Sequence, residues 1–175
     1  MTVLETSRLI LRPFRADDIE RLAQLFANPD FMRFSLGVYT REQTQPVLEK
    51  FLSWNRADRP YPFAVLVRSN STLIGYCGFL HWHIDGRDEI EIGYRLHPDY
   101  WNKGIATEAA TAVRDHAFRD LKLPRVISLI HPENVPSRRV AEKIGMTLEK
   151  QTTFRDSPTN VFVLSRERWL AMNAV

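Results

Sequence analysis

The residues best suited to chemistry lie where a half-polar strand gives way to an Ala-rich helix, within residues 94–110. The helix is predicted to begin near Gly104, directly after Lys103. The first turn of a helix leaves backbone N–H groups without intrahelical partners, and the helix dipole makes that end positive. Gly104 has no Cβ and Ala106 has a small side chain, so a bulky anion can approach the backbone closely. The stretch is a candidate diphosphate site, although an ordinary helix start can carry the same residues.

A second polar cluster stands at the start of a short predicted helix within residues 131–146. Asn134 is a preferred N-cap residue, Ser137 lies in the first turn, and Gly145 suits the C-terminal end of the helix. Each of these residues is most often structural when it occurs alone. The motifs G-x-x-x-x-G-K-[ST] and G-x-G-x-x-G are both absent from the sequence. Their absence excludes a P-loop and the common dinucleotide fingerprint.

Hydrophobic periodicity predicts the elements that must position these residues. Alternation over residues 89–96 places Glu91 on the strand face opposite Ile92, and Asp85 followed by Gly86 predicts a hairpin turn before this strand. The predicted order is a strand (8–14), helices (19–26 and 40–56), strands (63–67, 73–84 and 89–96), a helix from 104, a strand (126–130), a short helix after 134, strands (147–154 and 160–165) and a final helical turn (167–172). Hairpins combined with helical crossovers predict an α+β fold, in which helices flank a mixed, mostly antiparallel sheet.

Length and composition limit the class of protein. A chain of 175 residues that is 44% hydrophobic and 26% charged predicts a single folded domain over residues 1–175. With 7 Gly and 10 Pro it is neither collagen-like nor a low-complexity chain. A single Cys excludes a disulfide framework and a Cys-rich zinc site.

Charge and hydropathy predict the protein's environment. The net charge of +3 is scattered, and no basic block alternates with aromatic residues, so nucleic acid is not expected as a partner. No apolar run approaches the roughly 20 residues that span a bilayer, and the first residues lack signal-peptide character. We therefore expect a cytoplasmic protein without a membrane partner.

Four separated motifs, taken together and in this order, resemble those of the GNAT superfamily of acyl-CoA N-acyltransferases. They are EIGYRL at 91–96, WNKGIATEA at 101–109, N-x-x-S at 134–137 and EKIGM at 142–146. The opening LETSRLILRP at 4–13 is similar to the RimJ/RimL branch of ribosomal-protein N-terminal acetyltransferases and their relatives. The resemblance extends from about residue 4 to about residue 165, and it departs from the superfamily pattern at Trp101, where Gln or Arg is usual.

The resemblance implies a sheet that is splayed into a V between the strand of Glu91 and the strand of Val126, with acetyl-CoA lying in the V. The pantetheine arm would pair with the backbone of Tyr94, Arg95 and Leu96, and Asn134 would also bond this arm. The resemblance assigns the diphosphate to the backbone N–H groups of Asn102, Lys103, Gly104, Ile105, Ala106 and Thr107. Acetyl-CoA is thus the expected cosubstrate, with no metal.

The implied reaction is direct attack of a primary amine on the thioester, through a tetrahedral intermediate. The amine must be neutral to attack, so a base is needed, and Glu91 is the first candidate. Its alternative is a solvated charge paired with Lys or Arg. The resemblance places Ser137 near the sulfur, where it would donate a proton or a hydrogen bond to the leaving thiolate.

Three further side chains offer alternatives. His81 and His83 share one strand face and are the other candidate bases, and they lack a third ligand at a spacing that suits a metal. Cys77 could carry an acyl group, but no His–Asp partnership is evident, so a buried structural thiol is expected.

The acceptor is expected to be an amine of a ribosomal or other protein N-terminus, a polyamine or an aminoglycoside. The segment 40–56 and the hairpin near 85–88 should shape its pocket, and Asp85, Asp88 and Glu89 would attract a cationic amine. Relatives in the branch predict a monomer or a homodimer. The competing interpretations are a non-catalytic acyl-CoA sensor, which keeps only binding, and a scaffold protein, which binds no cofactor.

Overall fold

One eight-stranded sheet organises the molecule, and the computed structural model describes it over residues 2–174. The strands are β1 (Leu4–Glu5), β2 (Leu9–Pro13), β3 (Pro62–Val67), β4 (Leu73–Ile84), β5 (Arg87–Leu96), β6 (Arg125–Ile130), β7 (Thr147–Phe154) and β8 (Ser157–Ser165). The helices are α1 (Ile19–Phe26), α2 (Arg41–Arg56), α3 (Ile105–Arg119), α4 (Val135–Lys143) and α5 (Arg166–Met172). The sheet order is β1-β2-β3-β4-β5-β6-β8-β7, antiparallel except for the parallel pair β5 and β6. The predicted α+β class and mixed sheet are confirmed.

Turn chemistry explains where the strand boundaries differ from those predicted. β5 begins two residues earlier than predicted because Asp85 and Gly86, with φ of +49° and +76°, form a two-residue turn that lets the strands pair up to it. β8 begins at Ser157 because Arg155 and Asp156 form a second such turn, with φ of +51° and +59°. The second turn lacks the Gly that marks most such turns, so this strand was predicted to begin only at residue 160.

The start of α2 shows local sequence fixing a helix boundary. Thr40 accepts a hydrogen bond from the Gln43 N–H at 3.1 Å, and the Gln43 side chain accepts one from the Thr40 N–H at 2.9 Å. This is a capping box, which satisfies two backbone donors. It fixes the first turn of α2.

The two faces of the sheet bury separate cores. On the face that we call the α3 face, Ile92 and Leu96 of β5 pack with Val113 and other residues of α3. On the opposite face, which we call the α1–α2 face, Leu48 of α2 packs with residues of α1, β3 and β4. Glu91 points to the α1–α2 face, so a polar strand position lies at the edge of an apolar core.

Two further predictions concern the membrane and the number of domains. Within residues 2–174, none of the helices has the length and apolar character that crossing a bilayer requires. The single domain over residues 1–175 stays a prediction, and Met1 and Val175 lie outside the described residues.

Candidate active site

The parallel strands β5 and β6 separate almost as soon as they meet. They pair at one register position, Glu91 with Ile127. Next to this pair, the Ser128 hydroxyl donates to the Ile92 carbonyl at 2.8 Å, so a side chain takes the place of a backbone partner. Beyond Ile92, no strand within residues 2–174 pairs with the edge of β5 that faces β6. We call the gap that opens here between β5 and β6 the parting. It lies where the resemblance implied that the sheet is splayed into a V.

The backbone of β5 points polar groups into this parting. The His97 N–H donates to the Ile74 carbonyl at 2.8 Å, which fixes the alternation of the β4–β5 ladder. Tyr94 and Leu96 therefore direct their N–H and C=O groups away from β4, toward the parting. The indole N–H of Trp101 donates to the Leu96 carbonyl at 2.8 Å. The residue that departs from the superfamily pattern thus holds one end of this edge.

The N-terminus of α3 opens at the end of the same edge. Gly104 is its N-cap residue with φ of +73°, and Asn102 has φ of +56°, so two left-handed residues turn the chain into the helix. A Cβ on Gly104 would meet only the Arg8 guanidinium, at 3.5 Å. The backbone at Gly104 is therefore open to a large group, and any side chain there would occupy that space. We call this opening the α3 mouth.

Two cations, Lys103 and Arg8, lie near the α3 mouth and bond different groups. The Lys103 ammonium donates to the Asp99 carbonyl at 2.7 Å and lies 5.9 Å from the centre of the Tyr100 ring. The Arg8 guanidinium instead donates to the Lys103 carbonyl at 2.8 Å, and about half of its side chain is exposed. Sequence reasoning missed Arg8 because about 100 residues separate it from α3. Its only signal was its place in the opening motif.

Glu108 in the first turn of α3 anchors the mouth to the rest of the sheet. Its carboxylate accepts hydrogen bonds from the Thr6 hydroxyl at 2.6 Å, the Ser7 hydroxyl at 3.2 Å and the Arg8 N–H at 3.0 Å, and it pairs with the Arg8 side chain at 2.6 Å. Burial raises the pKa of Glu108, but the bonds from Thr6 and Arg8 outweigh burial and lower it. The carboxylate therefore stays ionised and holds the mouth in place.

Three predicted residues meet across the parting at the start of α4. The Asn134 side chain accepts the Ser137 N–H at 3.2 Å, which confirms Asn134 as the N-cap of α4. The Tyr94 hydroxyl donates to the Ser137 carbonyl at 2.6 Å. Burial raises the pKa of Tyr94, so its phenol stays protonated and keeps donating. This contact ties β5 to α4 on the α3 face.

Glu91 lies at the point where β5 and β6 part. One carboxylate oxygen accepts the Leu129 N–H at 3.1 Å, and the other accepts the Trp82 indole N–H at 2.5 Å. Glu91 is only 8% exposed, so the alternative of a solvated charge is wrong. Burial raises the pKa of Glu91, opposed by the bonds from Trp82 and Leu129. The result is a buried carboxylate with heightened proton affinity.

The other candidate bases and the Cys have different surroundings. The His81 Nε2 lies 2.7 Å from the Pro60 carbonyl, and burial lowers the pKa of His81. His83 pairs with Asp88 at 2.8 Å on an exposed hairpin. Cys77 is fully buried, which raises its thiol pKa and disfavours a nucleophilic thiolate. Within residues 2–174, no three His, Cys, Asp or Glu side chains cluster as metal ligands would.

The acidic groups expected to attract a cationic acceptor already have basic partners. Asp85 pairs with Lys150 at 2.6 Å, and Glu89 is buried against Arg125 at 3.0 Å. Asp88 has His83 as its partner. Asp85 and Glu89 are therefore paired with permanent cations, whereas Asp88 stays exposed beside an imidazole that is charged only when protonated.

Comparison with known proteins gives one consistent family. The family model described as "Acetyltransferase (GNAT) domain" matches residues 8–147. The N-acetyltransferase YnaD of Bacillus subtilis, itself uncharacterized, is 35% identical over 147 residues, which cover 83% of each chain. A GNAT-family acetyltransferase from Bacillus anthracis superimposes with a TM-score of 0.79 at 29% identity, over 95% of this chain and 99% of that one. RimL, the ribosomal L7/L12 α-N-protein acetyltransferase, in complex with coenzyme A, shares the fold with a TM-score of 0.77 at 18% identity, over 94% of this chain and 98% of that one.

Proposed function

The chain belongs to the GNAT acetyltransferase family, and we propose that it moves the acetyl group of acetyl-CoA directly onto a primary amine. The family match makes the protein an acetyl-CoA-dependent N-acetyltransferase. The acceptor in this proposal is the α-amine of a protein N-terminus, ribosomal or other, or the amine of a small molecule. The observation that carries the proposal is the open edge of β5, which leads from a buried carboxylate to the α3 mouth.

The parting suits the shape and polarity of coenzyme A. The outward N–H and C=O groups of Tyr94 and the N–H of Leu96 offer the partners that an extended pantetheine arm needs, and Asn134 adds a side-chain amide. The open backbone at Gly104 and the N–H groups that follow it suit the diphosphate. We include Arg8 as its charged partner, because its guanidinium is partly exposed beside Gly104.

Acetyl-CoA supplies an activated acetyl thioester. The acceptor supplies the amine, and the protein must remove a proton from its ammonium form. Glu91 is the base in this proposal, acting directly or through one water molecule. A carboxylate whose pKa is raised takes a proton from an ammonium group more readily than an ordinary one. Its bonds from Trp82 and Leu129 fix its position while leaving further lone pairs for the proton.

The leaving thiolate needs a hydrogen bond on the other side of the parting. Ser137 stands in the first turn of α4, and its backbone is held by Tyr94 and Asn134. We assign its hydroxyl to the sulfur. A hydroxyl is a weak acid, so this role is a hydrogen bond more than a proton transfer.

The test follows the release of free thiol while acetyl-CoA is mixed with a panel of amines. The proposal predicts thiol release that requires both acetyl-CoA and an amine, together with an acetylated product of the expected mass. Binding of acetyl-CoA without thiol release for every amine would contradict the enzyme and favour an acyl-CoA sensor. No binding of acetyl-CoA at all would favour a scaffold protein.

A further inference from the structure

Two cations flank one indole ring on the α1–α2 face. The Arg155 guanidinium carbon lies 4.7 Å from the centre of the Trp82 ring, and the Lys50 ammonium lies 5.8 Å from it. Lys50 also lies 5.1 Å from the centre of the Trp54 ring. Lys50 comes from α2 and Arg155 from the turn between β7 and β8, so two distant segments place positive charge on one aromatic group. We call Trp82, Lys50 and Arg155 the cationic platform.

The charge of the cationic platform is available to a ligand. Within the described residues, neither Lys50 nor Arg155 forms an ion pair, and both are exposed. Glu49, the neighbour of Lys50 in the chain, accepts a hydrogen bond from Gln45 instead. Contact with an aromatic ring attracts a cation but leaves its N–H donors free for an anion.

The cationic platform adjoins the proposed base. The indole N–H of Trp82 bonds the Glu91 carboxylate, so one ring separates the base from the two cations. The positive charges of Arg155 and Arg95 act on Glu91 through space. An amine that approaches Glu91 from this face therefore meets positive charge beside the carboxylate that would deprotonate it.

We propose that the acceptor is an amine that also carries an acidic group, a carboxylate or a phosphate, which binds to Lys50 and Arg155. This rests on the proposed function and names its substrate class. The acid docks on the cationic platform while the amine faces Glu91. A purely cationic acceptor such as a polyamine is disfavoured because it would meet like charges. Asp85 and Glu89, which pair with Lys150 and Arg125, do not offset that repulsion.

The experiment compares amines of equal length that differ only at the far end. Linear ω-amino acids, diamines and alkylamines with three to six carbons are the small probes. Peptides that begin Ser-Glu or Ser-Lys form the second arm, which separates a small acid-bearing amine from an acidic protein N-terminus. We expect kcat/KM for the acid-bearing member to exceed that of the alkylamine by about tenfold, mainly through KM, and to fall with added salt.

Variants assign this preference to the two cations. In the Lys50→Gln and Arg155→Gln double variant, the ratio of kcat/KM between the acid-bearing amine and the alkylamine should fall to about one. Lys150→Gln is the control for the Lys50→Gln single variant, because each removes one positive charge and Lys150 pairs with Asp85 rather than with Trp82. It should keep the ratio of the unmodified protein.

The outcomes separate this inference from the proposed function. Diamines preferred over ω-amino acids would overturn the acid-bearing acceptor while leaving the transferase intact, as would an unchanged ratio in the double variant. No thiol release with any amine in either arm would instead contradict the proposed function itself.

Discussion

The two ends of the parting between β5 and β6 present different kinds of group, backbone at one end and side chains at the other. At the α3 mouth, the exposed groups are mostly backbone, contributed by one continuous stretch from Tyr94 to the first turn of α3. The other end, which we call the acceptor end, consists of Glu91 and the cationic platform. Its groups are side chains, which come from α2, β4, β5 and the turn between β7 and β8. The first end is fixed by chain path, and the second by the choice of side chains. If the proposed sites are correct, we expect substitutions to change acceptor specificity while cofactor binding persists.

The largest expected effect lies at the acceptor end. Glu91→Gln should lower kcat by about 100-fold, because the amide cannot accept the proton of the amine at neutral pH. The dissociation constant of coenzyme A should stay the same, because Glu91 contacts the β6 backbone and Trp82 rather than the α3 mouth. Steady-state kinetics and calorimetric titration check the two parts. A fully active variant would move the base to His81, His83 or solvent.

The next largest effect lies at the cofactor end. Gly104→Val should raise the dissociation constant of coenzyme A by at least about tenfold, because its side chain would enter the space left for the diphosphate. Gly86→Val is the matched control, with φ of +76° against +73° and no atom within 4 Å of its Cβ. Both variants carry the same backbone strain, so only the first should lose affinity in titration. Equal losses would show that strain, rather than a blocked site, is responsible.

A smaller effect should rank the two cations beside the mouth. Arg8→Gln should weaken coenzyme A binding by about fivefold, and the loss should shrink as salt is added. Lys103→Gln should cost less, because the Lys103 ammonium is turned toward the Asp99 carbonyl. Titrations at two salt concentrations measure both changes. A larger loss for Lys103→Gln would instead favour the Lys103 ammonium as the charged partner of the diphosphate.

The smallest effect is a change in pH dependence. The indole N–H of Trp82 favours the ionised form of Glu91, so Trp82→Phe should raise the Glu91 pKa further. Because the base must be ionised to act, activity is lost as the pH is lowered. This loss should begin at a higher pH in the variant than in the unmodified protein. The acidic limb of the kcat–pH profile measures this shift. A limb that moves to lower pH would contradict Glu91 as the titrating base.

Features that depend on neighbouring residues could be predicted from the sequence, and contacts between distant residues could not. The helix start at Gly104 and the N-cap at Asn134 depend on neighbours in the chain, so local patterns predicted both. Arg8 was missed because its partner Glu108 is about 100 residues away. The cationic platform around Trp82 was missed for the same reason, since periodicity gives the face of a strand but not which distant side chains cover it.

The acidic hairpin shows the opposite error. Asp85, Asp88 and Glu89 are close in sequence and suggested a patch that attracts cations. The partners that neutralise Asp85 and Glu89, Lys150 and Arg125, come from other strands of the sheet. Charge counted along the chain therefore overstated the free acidic charge, because pairing between strands decides which charges remain free.

We propose that the diphosphate of coenzyme A rests on the α3 mouth. A crystal structure with coenzyme A bound tests this most directly. We expect diphosphate oxygens within hydrogen-bonding distance of the backbone N–H groups that follow Gly104, with the pantetheine arm along Tyr94 and Leu96. Coenzyme A bound elsewhere, with the mouth filled by side chains of the protein, would contradict it.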